Sequence, residues 1–265
     1  MKNIVDTHFH LMGIKENKIN IDELVKKLQT SNFYGGIDIC LNLEDIIERK
    51  KYLKNIPSVF FATGLGPWNL DNKDFDLPNS LLTLEKTLTE NNIQLLGEIG
   101  LDYHYLAGTK EKQQELLIKQ LELADEINRP VIIHSRESDN DLIDILKTYS
   151  PKKRGIIHCF SSDVATAKAL LDLGYYISFS GNITYKNSKN IQEAIKIIPS
   201  NKLFLETDSP YLSPIPLRGK INTPLNIIYT YEKAAELREE NLEELKIQIM
   251  KNFATFYKEK LINNL

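Results

Sequence analysis

Two cysteines, three methionines and one tryptophan in 265 residues, with no long apolar run, put several kinds of protein out of reach. Cys40 and Cys159 each sit in an apolar, strand-like stretch, which argues against a disulfide framework. No hydrophobic segment approaches the roughly 20 residues that a membrane-spanning helix needs. The N-terminal Met1-Lys2-Asn3-Ile4-Val5-Asp6 runs straight into a strand pattern without a leader-like apolar stretch, so the expected location is cytoplasmic. Positive charge is not in excess either. The 33 Lys and Arg stand against 36 Asp and Glu, a net charge of −3, which is not the footprint of a protein that coats nucleic acid with a basic face. An enzyme acting on phosphodiesters stays compatible with that charge, because bound divalent cations bring positive charge to the site.

What the chain does contain is an alternation of short apolar runs with helical patterns. The strand-like runs are Asn3–Thr7, Gly36–Leu41, Ser58–Thr63, Gln94–Glu98, Pro130–His134, Gly155–His158, Tyr175–Phe179 and Lys202–Glu206. Most are continuously apolar, as expected of parallel strands buried on both faces. The clearest helical patterns between them are Ile21–Leu28, Glu111–Ile127 and Asp163–Leu171. The last has Asp163 or Ser162 placed as its N-cap and Gly174 just past its final turn. Eight strands, each followed by a helix or helical turn, match a closed (β/α)8 TIM barrel of about 250 residues. A doubly wound open sheet is the alternative, but it usually has fewer strands, and a Gly-rich phosphate loop is missing here. A Pro-rich loop over Ser209–Pro224 leads into helical sequence to the end, and no linker or repeat divides the chain. Residues 1–265 read as a single domain.

Parallel barrels place their chemistry at the C-terminal ends of the strands. Val5-Asp6-Thr7-His8-Phe9-His10 puts two imidazoles at i and i+2 of the first strand, where side chains share a face. Glu98 closes the fourth strand in this reading, His134 the fifth and His158 the sixth, and Asp208 lies just past the eighth. Singly, each has a structural explanation as a cap or a satisfied core residue. Jointly, four of the five histidines end strands on one rim. Imidazole and carboxylate suit borderline and hard divalent ions, whereas the cysteines are not arranged for a thiolate site. Six such ligands exceed what one tetrahedral catalytic ion takes, and suit two ions about 3.5–4 Å apart sharing a carboxylate.

With Gly97-Glu98-Ile99-Gly100-Leu101-Asp102-Tyr103, Pro130-Val131-Ile132-Ile133-His134-Ser135-Arg136, His158-Cys159-Phe160-Ser161 and Glu206-Thr207-Asp208-Ser209-Pro210-Tyr211-Leu212, the first-strand motif resembles the TatD family of metal-dependent deoxyribonucleases, within the amidohydrolase-like barrels. The resemblance covers essentially the whole chain. It implies that His8, His10, Glu98 and Asp208 hold one divalent metal and that Glu98 shares a second with His134 and His158. It also implies that Asp208 orients or deprotonates the attacking water, as a metal-bound carboxylate near the nucleophile can. Zinc, magnesium and manganese all remain open as the two cations. Glu206 is then a candidate support behind the ligands. DNA is the implied substrate, with no membrane and no obligate protein partner. The same centre would also hydrolyse another ester or amide, such as an aminoacyl-tRNA ester.

Arg136 has the planar fork that reads a phosphate, or else forms a surface pair with Glu137 or Asp139. His104 reads as an exposed loop residue without a ligand role, and Arg218-Gly219-Lys220 as a basic element in the last loop. Three departures from the family pattern bear on substrate preference. The run after the third strand is Gly64-Leu65-Gly66-Pro67-Trp68-Asn69, with no imidazole where the family commonly has two. Ile221-Asn222-Thr223-Pro224 replaces a usual Arg-Asn-Glu-Pro, and Ser162 stands in place of a glycine. Trp68 could offer a stacking face to a nucleobase.

Overall fold

The computed structural model describes residues 2–56 and 58–260. Eight parallel strands form one sheet in sequential order: β1 (Ile4–Phe9), β2 (Phe33–Cys40), β3 (Ser58–Thr63), β4 (Leu95–Asp102), β5 (Val131–Arg136), β6 (Gly155–Ile157), β7 (Tyr176–Phe179) and β8 (Leu203–Leu205). Around it lie α1 (Leu11–Glu16), α2 (Ile21–Thr30), α3 (Ile46–Leu53), α4 (Leu77–Glu90), α5 (Lys110–Glu126), α6 (Asp139–Tyr149), α7 (Val164–Asp172), α8 (Lys189–Ile197), α9 (Ile227–Arg238) and α10 (Leu242–Lys260). This is the nearly closed (β/α)8 barrel that the strand count implied.

Several helices, α2, α4, α5 and α7 among them, start where a side-chain acceptor meets a free backbone N–H group. Asn20 accepts from Glu23 N at the head of α2, Thr109 from Lys112 N at α5 and Asp163 from Thr166 N at α7. Asp163 is thus the cap, not Ser162, whose hydroxyl is instead hydrogen-bonded to Asp139. Gly174 follows α7 with φ +93°, the left-handed geometry that ends a helix at least cost in glycine.

Two strand boundaries differ from the sequence reading for a shared reason: neighbouring ladders extend them. β2 begins at Phe33 because Ile4 pairs with it. β4 continues four residues past Glu98, because Gly100, Leu101 and Asp102 pair with His134, Ser135 and Arg136. Gly100 permits that approach, since a Cβ there would lie 1.9 Å from the His134 carbonyl oxygen. Glu98 is therefore interior to its strand, not at its end. His158 and Glu206, by contrast, fall just beyond the short β6 and β8.

Two buried glutamines on one face of α5 tie helix to barrel. Gln120 pairs with both the N–H and the carbonyl of Leu65 after β3, each at 2.8 Å. Gln113 does the same for Asp102 at the end of β4, at 2.8 and 3.0 Å. At the opposite end of the barrel, Phe253 and Phe256 of α10 pack edge-to-face on Phe204 of β8.

Closure comes from Asp6. Its Oδ1 accepts from Thr207 N at 2.9 Å and from His8 N at 3.3 Å, and its Oδ2 from the Thr207 hydroxyl at 2.6 Å, all in full burial. The chain after β8 then docks along β1: Asp208 N donates to His8 O at 2.9 Å and His10 N to Ser209 O at 2.8 Å. An Asp6→Ala variant leaves buried donors unpaired, at about 1–3 kcal/mol each. Urea unfolding should show that loss, while Lys27→Ala on the exposed surface of α2 should leave the midpoint in place; equal midpoints for all three proteins would refute the closure role.

Candidate metal centre

Glu98, 4% exposed, points from β4 into the barrel mouth between two groups of histidines. Its Oε2 faces the first strand, 3.4 Å from His8 Nε2 and 4.0 Å from His10 Nε2. Those two nitrogens are 3.2 Å apart. Asp208 Oδ1 joins them at 3.7 Å from His8 and 3.4 Å from His10. Glu98 Oε1 faces the other way, 2.8 Å from His158 Nε2 and 3.2 Å from His134 Nδ1, which lie 3.3 Å from each other. The His8 and His158 rings stack across the middle at 3.9 Å between centroids.

The six residues singled out in the sequence thus converge, and backbone placement explains how. His8 and His10 share a face at the end of β1. His134 and Glu98 come from paired neighbours β5 and β4. Asp208 is held by the β1–β8 closure, with φ +55°, a left-handed conformation that aspartate tolerates better than most residues.

Behind these groups stand residues the sequence reading passed over. Asp102 Oδ2 lies 3.1 Å from His134 Nε2, and its Oδ1 accepts from the N–H groups of His104 and Tyr105 at 3.0 and 2.9 Å. Asp102 belongs to the same motif as Glu98 and sits four residues on, hence on the same strand face; that spacing was the available signal. Glu206, which the sequence reading did single out, is placed similarly: its Oε1 is 3.2 Å from His158 Nδ1 and accepts from Cys159 N at 2.7 Å. Buried Asp38 of β2 accepts from Leu11 N at 2.9 Å, next to His10, and from Arg49 Nη1 of α3 at 2.8 Å. Nothing in the local sequence marks that pair, because its two members are joined only by the fold.

The rim is aromatic. Trp68, 39% exposed, meets the His134 ring edge-to-face at 6.1 Å, and Tyr211, 57% exposed, meets His10 at 6.0 Å. The Arg136 guanidinium lies 4.8 Å over the exposed Tyr105 ring. The surface partners considered for Arg136 are engaged elsewhere, Glu137 with His104 at 2.7 Å and Asp139 with Ser162. Arg218 lies 4.5 Å over Tyr185, outside the cluster of six.

A family model described as TatD related DNase matches residues 5–258. The chain belongs to the TatD family. The metal-dependent hydrolase YcfH of Escherichia coli is 34% identical over 257 residues, covering 96% of this chain and 95% of its own. The metal-dependent hydrolase YabD of Bacillus subtilis is 31% identical over 244 residues, covering 91% and 94%. Among solved structures, the TatD homologue YJJV of E. coli superposes with a TM-score of 0.83 at 27% identity, over 97% of this chain and 98% of that one. The protein is accordingly a metal-dependent hydrolase of the TatD family.

The donor set suits such an enzyme. Two imidazole nitrogens 3.2 Å apart can share at most one hydrogen between them, and both face carboxylate oxygens. Crowded nitrogen and oxygen donors of this kind are what a divalent cation satisfies. Burial alone would raise the Glu98 carboxyl, but His158, His134 and His8 hold it well below the usual carboxylate range. Burial likewise opposes a charged His158, yet Glu98 and Glu206 push its pKa well above the ordinary histidine value. His8 is lowered by burial and by His158, which together outweigh the opposing pull of Glu98 and Glu206.

Of the TatD-pattern departures, Trp68 lies against the centre, Ile221 is exposed in the last loop and Thr223 is half-buried beside Asn222. Binding of a divalent ion to the native state alone stabilises by about 2.7 kcal/mol at a hundredfold excess over Kd. With roughly 2–4 °C per kcal/mol for a chain of this size class, chelation should lower the thermal midpoint by several degrees and Mn2+ or Zn2+ should restore it. An identical midpoint in both states would speak against the site.

Proposed function

We propose that this TatD-family hydrolase cleaves DNA phosphodiester bonds with water activated between two divalent cations, and that residues 1–265 work as one hydrolase domain. The observation that carries the reading is Glu98, whose two oxygens face two separate donor groups. In this reading His8, His10, Glu98 and Asp208 hold the first ion, and Glu98, His134 and His158 the second. Bound ions would polarise a phosphoryl oxygen and lower the pKa of a water toward neutrality.

The chain's own residues do the rest. Asp208 takes the role of accepting the proton of the attacking water in this reading, which its greater exposure supports, 13% of its side chain against 5% for Glu98. Burial opposes its ionisation, but His10, His8 and His158 keep its pKa low, so it is a carboxylate ready to accept. Glu98, deeper and with one carboxylate oxygen turned to each histidine group, holds the two groups in register. Trp68 gives a base a stacking face beside His134, and the Arg136 and Arg218 guanidinium groups, each seated on a tyrosine ring, offer forks to backbone phosphates. The free thiols of Cys40 and Cys159 are consistent with a reducing, cytoplasmic setting. No helix among the described residues is long and apolar enough to cross a membrane.

Metal-loaded protein should release nucleotides from single-stranded or duplex oligonucleotides, and chelator should abolish the release. Replacing the general base, Asp208→Asn, should lower kcat by about 10^2–10^4-fold. Turnover of an aminoacyl-tRNA ester with none of any oligonucleotide would overturn the assignment to DNA and leave the hydrolytic centre standing.

A further inference from the structure

The two halves of the centre are supported unequally. His134 and His158 each turn their second ring nitrogen to a carboxylate, Asp102 at 3.1 Å and Glu206 at 3.2 Å. His8 and His10 do not: the Nδ1 atom of each is buried with no hydrogen-bond partner among the described residues. We propose that Asp102 is a positioning residue that, together with Glu206, makes the Glu98–His134–His158 half the tighter of two unequal cation sites, the one that fills first. The His8–His10–Asp208 half is then the weaker, exchangeable site. The inference rests on the two-ion reading above and adds the order and the cause.

The argument begins with the tautomer. His134 presents Nδ1 to Glu98 and His158 only when its hydrogen is on Nε2, and Asp102 Oδ2 lies where that hydrogen must point. A carboxylate accepting from the far nitrogen fixes the ring and raises the basicity of the near one, an effect of about 10–100-fold in metal affinity when removed. Asp102 cannot readily swing away. Its Oδ1 is held by two backbone N–H groups, and its own backbone N–H and carbonyl are both bound by the fully buried Gln113 side chain. Glu206, fully buried and fixed by Cys159 N, acts on His158 in the same manner.

The first-strand half lacks this. When Nε2 of His8 or His10 coordinates, the hydrogen falls on an Nδ1 that is buried without an acceptor among the described residues. Such a donor is costly to bury and does nothing to strengthen the ligating nitrogen. Asp208 contributes a charged oxygen to this half, yet comes from the loop beyond β8 rather than from a paired strand. The weaker site thus also holds the group assigned to proton transfer, so ion exchange there would gate activity without emptying the other half.

Calorimetric titration of metal-stripped protein with Mn2+ alone reads both sites without any substrate. The wild type should bind two ions in classes at least tenfold apart. Asp102→Asn turns an amide toward a hydrogen-bond acceptor's place and should weaken the tighter class by about 10–100-fold, leave the weaker class within threefold, and keep the metal-free thermal midpoint. Asp208→Asn should instead weaken the weaker class. Two indistinguishable classes, a tighter class unmoved by Asp102→Asn, or equal losses at both sites with a lower metal-free midpoint would overturn the proposal while two-ion binding stood. A single ion bound by the wild type would overturn the two-ion reading with it.

Discussion

Asp6 joins the first strand to the chain just past the last one, and the geometry of the centre depends on that join. Its carboxylate takes the backbone N–H and the hydroxyl of Thr207 and the N–H of His8 in one buried cluster. Strand β8 is only three residues long, so ordinary ladder pairing gives little to close the barrel on that side. The side-chain clasp substitutes for it, and the next residues inherit their positions: Asp208 by its N–H to His8 O, and His10 by its N–H to Ser209 O. A centre drawn from both chain ends thereby acquires the fixed spacing that metal ligation requires.

From this join the rest follows in layers. Gly100 lets β4 and β5 approach closely enough that Glu98 and His134 meet. Gln113 and Gln120 of α5 pin the loops after β4 and β3, fixing Asp102 on one side and the approach to Trp68 on the other. Asp38 and Arg49 anchor the start of α1 immediately after His10. Each is a buried polar group held by specific partners, and such hydrogen bonds in a dry interior favour one arrangement over several. The helices outside the barrel thus reach in with hydrogen bonds to the strand ends around the candidate ligands.

The barrel was legible in the sequence because parallel strands buried on both faces leave continuous apolar runs, and these appear at regular intervals. The boundaries were less so. β4 looks finished at Glu98, since a charged residue ends the apolar run, yet pairing with β5 carries it to Asp102. The six convergent residues were visible because His, Glu and Asp stand out at the ends of apolar runs. Asp102 was hidden by its place in a motif already credited to Glu98, and Asp38–Arg49 by the lack of any local pattern joining β2 to α3. Arg136 illustrates the same limit: sequence neighbours suggested an ion pair, but Tyr105, brought over from the β4 loop, is its partner.

The central claim is that Glu98 bridges two donor groups, each able to hold a divalent cation. Anomalous diffraction at the absorption edge of a soaked metal, manganese or zinc, tests it most directly. The account predicts two peaks on either side of Glu98, one against His8, His10 and Asp208 and one against His134 and His158. A single peak, or metal bound away from Glu98, would contradict it.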